Sequence, residues 1–262
     1  MLNITERHQF ILNKLQKEGY AEVFSLCKEL DVSSVTIRKD LKLLEDKKLL
    51  FRTHGGASMN NPYTVDKPVD EKEKLQSAEK MKIGAAAALT IEANDSVIIA
   101  SGTTVLALAK NIKPTASLTV ITSALNVALE LLQHNNIEII QLGGIIRRTS
   151  SSITGTYAQH MLTDFFCSKL FLGVDGIDIE YGLTTTSVVE AHLNRQMIAA
   201  SQKVIVLSDS TKFGKRGFGK ICGIEDVNQV ITDKGIPDHY VNHLESIGIE
   251  VTIVWGMTVN GY

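Results

Sequence analysis

Between residues 4 and 30 apolar side chains recur at helical spacing. Phe10, Ile11, Leu12 and Leu15 share one broad face, and Gly19 is placed to stop that helix. A shorter helix carries Val23, Leu26 and Leu30. After Asp31-Val32, either Ser33 or Ser34 is suited to cap a third helix through its hydroxyl. That helix runs to about Asp46, with Ile37, Leu41 and Leu44 turned inward. Leu49-Leu50-Phe51-Arg52 then reads as a short strand, turned by Gly55-Gly56. From about Met59 to Glu79 the apolar pattern lapses. Asn60-Asn61-Pro62, Pro68 and the alternating charges of Asp70-Glu71-Lys72-Glu73-Lys74 predict a linker that becomes a solvated helix.

Beyond the linker, short β-branched runs alternate with helical stretches. The runs are Val97–Ile99, Leu118–Ile121, Ile137–Ile140, Lys169–Leu172, Val204–Leu207, Gln229–Ile231 and Val251–Val254. Helices are predicted over Thr104–Asn111, Ala124–Gln133, Tyr157–Phe165, Val188–Ser201 and His239–Ile247. Apolar strands separated by helices imply a mostly parallel sheet covered on both faces, hence an α/β, Rossmann-like domain. The predicted organisation is a small N-terminal winged helix-turn-helix over 1–58, a linker over 59–79 and an α/β domain over 80–262.

Charge sharpens this picture. The net charge of −2 excludes a uniformly basic coat, yet Ser33–Ala57 carries an excess of three positive charges, leaving −5 for the rest. A basic stretch on an acidic body fits a protein that touches DNA with one end. Cys27, Cys167 and Cys222 are far apart and form no Cys-x-x-Cys pair, which suggests reduced thiols in the cytosol. The start lacks the apolar core of a signal peptide, and no apolar run is long enough to span a bilayer. A cytoplasmic protein without membrane contact is expected. The seven histidines are scattered, so no metal site and no cofactor are expected; His160 and His192 read as helix-surface residues.

Helix, helix, tight turn, capped helix and Gly-Gly hairpin is the order of a winged helix-turn-helix. The third helix can enter a major groove if one face is apolar and the other short, polar and cationic. Ser33, Ser34, Thr36, Arg38, Lys39 and Lys42 meet that demand, and Arg52 and His54 lie where a wing would meet phosphates. Double-stranded operator DNA is the partner expected for this end.

In the larger domain, Ser101-Gly102-Thr103-Thr104 follows a strand and opens a helix. Glycine admits close approach, hydroxyls donate, and the helix N-terminus offers free N–H groups, which together make an anion cradle. Thr122-Ser123 repeats that chemistry after the next strand. Gly143-Gly144, Arg147, Asp175-Gly176 and Lys212 fall at comparable strand ends, where one edge of a parallel sheet gathers them. Each has a plainer reading beside this one: Gly143-Gly144 as a turn, Asp175 as a cap, Lys212 as a surface cation. Glu190, opening a helix, is equally a favourable N-terminal charge.

The run Val32-Ser33-x-x-Thr36-Ile37-Arg38-Lys39-Asp40-Leu41-x-x-Leu44-Glu45, with Leu49, Arg52 and His54-Gly55-Gly56-Ala57, resembles the DeoR family of bacterial transcription regulators. Gly102-Thr103-Thr104, Gly143-Gly144, Gly155, Phe171-Leu172-Gly173, Gly182-Leu183-Thr184, Glu190-Ala191, Met197-Ile198 and Asp209-x-x-Lys212-Phe213-Gly214 extend the resemblance to that family's sensor domain. It implies a sensor similar in fold to ribose-5-phosphate isomerase and an effector that is a phosphorylated sugar or related metabolite. Several positions depart from the family pattern: Lys39 stands for the usual arginine, Lys47-Lys48 for an acidic residue and glycine, Ser101 for an aspartate and Asn194 for a basic residue.

The reading is therefore a DNA-binding repressor of a carbohydrate catabolic operon, a homo-oligomer (dimer or tetramer) controlled by a small phosphorylated metabolite. Its rivals are a sugar-phosphate isomerase-like enzyme with a DNA-binding arm, and an interaction scaffold. Against the enzyme, no dense Asp-Glu cluster follows the strand ending at Leu172, and isomerisation needs a paired acid and base.

Overall fold

The computed structural model describes residues 2–53, 55–59, 68–113 and 116–255. The chain separates into two compact units, Met1–Val65 and Asp66–Tyr262.

In the smaller unit, helix α1 (Ile4–Glu18) opens on a capping box. Asn3 accepts from the Glu6 N–H, Glu6 accepts from the Asn3 N–H, and Gly19 ends the helix in the left-handed conformation. Strand β1 (Tyr20–Glu22) leads into α2 (Val23–Leu30), then α3 (Ser34–Asp46). Of the two serines suited to cap α3, Ser33 does so, its Oγ accepting from the Thr36 N–H at 3.2 Å. Strands β2 (Phe51–Thr53) and β3 (Gly56–Ser58) form an antiparallel hairpin, and β1 adds to β3. The expected strand over 49–52 thus begins later, because Leu50 is taken into the core. Strand β1, three residues long, carries too little periodicity to be read from sequence. Ile11, Leu15, Leu26, Ile37, Leu41 and Leu44 are fully enclosed and hold the three helices together.

The larger unit begins with α4 (Val69–Lys74) and α5 (Ser77–Ala88), so the second half of the expected linker is helical and belongs to this unit. Val69 is buried and its N–H donates to the Thr149 carbonyl at 2.7 Å. The chain continues through β4 (Ser96–Ile99), α6 (Thr103–Asn111), β5 (Leu118–Thr122), α7 (Leu125–Leu131) and β6 (Ile137–Gln141). A hairpin of β7 (Ile145–Arg147) and β8 (Ser152–Thr154) precedes α8 (Thr156–Leu162) and β9 (Cys167–Gly173). Next come β10 (Gly176–Asp178), β11 (Gly182–Thr185), α9 (Val188–Ala199), β12 (Ser201–Leu207) and β13 (Gly219–Cys222). Strand β14 (Gln229–Asp233), α10 (Asp238–Ser246) and β15 (Glu250–Val254) complete the unit.

Seven strands form one sheet in the order β15-β14-β12-β9-β4-β5-β6, and every neighbouring pair is parallel. Each run expected as a strand is in it. Side chains alternate between two cores: Ile98, Leu170, Leu172 and Val206 face one, while Val97, Ile99, Phe171 and Ile205 face the other. Burial on both faces explains why these strands read as continuous apolar runs rather than alternating ones. The small antiparallel sheet β10-β11-β13 and the β7–β8 hairpin are additions the sequence reading did not foresee.

The strand order fixes where a ligand would lie. From central β4 the chain runs outward through β5 to β6, then crosses to β9 on the other side of β4 and continues to β15. The loops leaving β4 and β9 therefore diverge at their carboxyl ends, which is the topological switch point of an open parallel sheet.

Candidate functional site

In the smaller unit, α3 presents Ser34, Val35, Arg38, Lys39 and Lys42 to solvent, with Thr36 half-buried. Ser33 is exposed, but its hydroxyl is engaged as the cap and also contacts Thr36 Oγ1 at 3.0 Å. Asp40, counted against the basic stretch from sequence, points inward and is 2% exposed. Arg7 grips it bidentately, Nε to Oδ2 at 2.8 Å and Nη2 to Oδ1 at 3.1 Å, and His8 Nε2 lies 3.2 Å from Oδ1. The bond to Asp40 holds the Arg7 guanidinium above its ordinary pKa, against the pull of burial. The outward face is thus more uniformly cationic than the residue count implies. Spacing contained the clue: Ile37, Asp40, Leu41 and Leu44 follow the i, i+3, i+4, i+7 rule of one helical face.

Arg52, on β2, reaches Glu45 of α3, its N–H donating to Oε1 at 3.0 Å and its Nη1 lying 3.6 Å from Oε2. It braces the hairpin against α3 as well as standing at the candidate phosphate edge. His54 lies outside the described residues.

At the switch point of the larger unit, Ser101 Oγ donates to Glu190 Oε1 at 2.9 Å, and Arg147 Nη1 donates to Glu190 Oε2 at 2.6 Å. Glu190 lies in the first turn of α9, where the Ser187 hydroxyl accepts from its N–H. Asp175, just past β9, accepts from Lys72 Nζ at 2.9 Å, Thr185 Oγ1 at 3.1 Å and the Thr186 N–H at 3.2 Å. Burial works against the Asp175 charge, but Lys72, Lys212 and the donated bonds outweigh it and hold the carboxyl below its ordinary pKa. Glu190 goes the other way. Burial and the Asp175 charge push it up, against the pull of Arg147 and the Ser101 bond. Two neighbouring carboxyl groups are thereby driven apart. Lys80 is buried with its Nζ donating to the Lys72 and Leu75 carbonyls, and burial lowers its pKa.

Of the residues expected here from sequence, the fold brings Ser101, Arg147, Asp175, Glu190 and Lys212 into mutual bonding or electrostatic reach. Gly102, Thr103 and Thr104 form the beginning of α6 beside them; Gly102 has φ +136°, and its Cα faces Gly173. Thr122 and Ser123 are buried at the end of β5 and serve the chain locally. Thr122 Oγ1 accepts from the Ala124 N–H, and the Ser123 carbonyl accepts from Ile153. Gly143 and Gly144 are both exposed; Gly144 (φ +149°) leads into the β7–β8 hairpin, where a Cβ would stand 2.6 Å from the Thr154 carbonyl oxygen. A Cβ on Gly176 would likewise meet the Lys215 carbonyl, so a packing requirement accounts for both glycines. Sequence reasoning passed over Lys72, Lys80, Thr185 and Thr186. Lys72 sits in a run of alternating charges whose ordinary reading is a solvated face, and its partner Asp175 is 103 residues away. Among the described residues no group of three His, Cys, Asp or Glu could hold a metal ion, and no helix is long and apolar enough to cross a membrane.

Two family models match the chain: a DeoR-like helix-turn-helix domain over residues 7–63 and a DeoR C-terminal sensor domain over residues 75–234. A protein of Escherichia coli O157:H7, named provisionally as the aga operon transcriptional repressor, is 35% identical over 95% of this chain and 94% of its own. The transcriptional repressor AccR of Agrobacterium fabrum is 35% identical over 88% of this chain and 90% of its own. Among solved structures, ribose 5-phosphate isomerase A from Methanocaldococcus jannaschii matches with a TM-score of 0.40 and 12% identity, over 53% of this chain and 55% of that one.

Proposed function

Because this chain belongs to the DeoR family of transcriptional regulators, we propose that it is a repressor of a carbohydrate catabolic operon, released by a phosphorylated sugar bound at the switch point. Family membership sets it among regulators rather than enzymes. On this reading α3 is the recognition helix. Ser34 and Thr36 meet base edges at its start, Arg38, Lys39 and Lys42 hold bases or phosphates, and Arg52 and His54 steady the wing. The protein acts as a homo-oligomer in the cytoplasm, because paired half-sites multiply affinity through effective concentration.

One observation carries the effector reading: cations from three separate segments, Lys72, Arg147 and Lys212, converge with two carboxylates at the carboxyl edge of the parallel sheet. A phosphate there exchanges the carboxylate partners of Lys72 and Arg147 for its own oxygens, supported by the start of α6. Asp175 and Glu190, so released, suit the hydroxyls of a sugar. Lys72 belongs to α4, the first helix of the larger unit, so a phosphate that takes Lys72 from Asp175 changes the restraint on that helix.

The test uses the full chain and duplex DNA that it enriches from a random library. Phosphorylated sugars, inorganic phosphate and the parent sugars are then added separately. A sugar phosphate at a hundred times its Kd adds about 2.7 kcal/mol to the stability of the larger unit, roughly 5–11 °C in Tm for a unit of this size, and weakens DNA binding. Lys72→Met is expected to lower the apparent affinity for that compound about tenfold or more. Equal shifts from the unphosphorylated sugars, or no shift from any phosphate, would overturn the effector reading.

A further inference from the structure

Together with Leu43, two turns further on, Val35 is an exposed apolar residue of α3, and of the two it alone lies in the first turn of the helix. It is 61% exposed, the second residue of the helix, and it shares its face with Arg38, Lys39 and Lys42 at i+3, i+4 and i+7. Local structure offers no reason for it. A β-branched side chain is a poor choice for an exposed helical position, and here it gains little burial in return. No carboxylate shares that outward face over the first turns of the helix, since Asp40 is turned inward onto Arg7 and His8.

We propose that Val35 is a specificity-determining residue that reads the C5-methyl group of a thymine in each operator half-site. The inference rests on the DNA-binding assignment of α3 and adds a base identity to it. Residues in the first turn of such a helix reach base edges in the major groove. An isopropyl group can neither donate nor accept a hydrogen bond, so nitrogen and oxygen atoms on those edges are no partners for it. The thymine methyl is the one apolar group that the four bases present in that groove. Beside it, Arg38 and Lys39 supply the donors for neighbouring acceptors, so the valine sets identity at one step while the cations set register.

The experiment takes the duplex enriched from a random library by the full chain and replaces each thymine in turn with deoxyuridine, which removes only the methyl group. Wild-type protein is expected to lose about fourfold in affinity at one thymine per half-site, the worth of one buried methyl group. Val35→Ser leaves a folded helix, because the side chain is exposed and serine has similar helix propensity. That variant is expected to bind the thymine and uracil duplexes equally at this position, while keeping the wild-type response elsewhere. A duplex in which no thymine is sensed by the wild type but ignored by Val35→Ser would overturn the role of Val35 and leave the DNA-binding assignment standing. Failure of the full chain to enrich any sequence would overturn both.

Discussion

The Arg7–Asp40 pair offers the sharpest test of how the reading head is held together. Asp40 is 2% exposed, and its carboxylate depends on the fork of Arg7 and on His8. Arg7→Met keeps the unbranched apolar stem of the side chain and the helix propensity but strands that carboxylate. Removing one partner of a fully buried ion pair costs about 3–5 kcal/mol; Arg7 lies at the rim with 13% of its side chain exposed, which lowers the expectation to roughly 2–3 kcal/mol. A unit of this size has roughly 3–10 kcal/mol in total, so the variant head is expected to melt about 8–24 °C lower. Asp40→Leu added to Arg7→Met removes the stranded charge, and the double variant is expected to recover most of the loss. Hydrogen exchange in peptides from α1 and α3 follows the head. Additive single and double variants, or an Arg7→Met head as protected as wild type, would refute the argument that this pair is the buried polar tie between α1 and α3.

Two further outcomes follow from groups whose environments are perturbed. Burial and the neighbouring Asp175 charge raise the Glu190 carboxyl above the ordinary glutamate range in the folded state, so over that interval the native state holds a proton that the unfolded chain has released. Stability of the larger unit therefore falls as pH rises from the ordinary glutamate value through the raised one, and Glu190→Gln is expected to abolish that descent in urea titrations followed by hydrogen exchange in peptides of the parallel sheet; an unchanged pH profile counts against it. Lys48 sits at φ +59°, in the left-handed region just past α3. Lys48→Gly is expected to stabilise the head by about 1 kcal/mol, and a lower urea midpoint for head-peptide exchange would contradict this.

Much of the fold was legible because its strands are buried on both faces. Val97–Ile99, Lys169–Leu172 and Val204–Leu207 announce themselves as β-branched runs, and helices between them force a parallel sheet. Three-residue strands such as β1, β7 and β8 span too few residues for any period to show. The same limit applies to the site. Ser101, Arg147, Asp175 and Glu190 were legible singly, as polar residues at strand and helix ends, but nothing in the sequence says that Ser101 and Arg147 share Glu190. Lys72 was invisible for a physical reason: a lysine among Asp70, Glu71 and Glu73 looks solvated until the fold brings Asp175 to it. Asp40 shows the converse case. Its helical position marked it as inward, and counting it as a surface charge concealed that.

These pairings also bear on how a small ligand could move a DNA-binding head. A hundredfold loss of operator affinity requires that the effector favour one state over the other by about 2.7 kcal/mol. Charge-assisted hydrogen bonds are worth about 1.5–3 kcal/mol each, so two of them suffice if they are made in one state only. The structure offers two such bonds, Lys72–Asp175 and Arg147–Glu190, and both bear on one element. Lys72 lies on α4, and the N–H of Val69, at the start of that helix, is tied to Thr149 in the turn that follows Arg147. A phosphate that recruits both Lys72 and Arg147 therefore draws on two of the attachments of α4, leaving the Lys110–Glu73 pair and the Lys80 bond to the Lys72 carbonyl in place. An anion that recruited Lys212 alone would touch neither, and on this argument it would bind without releasing DNA.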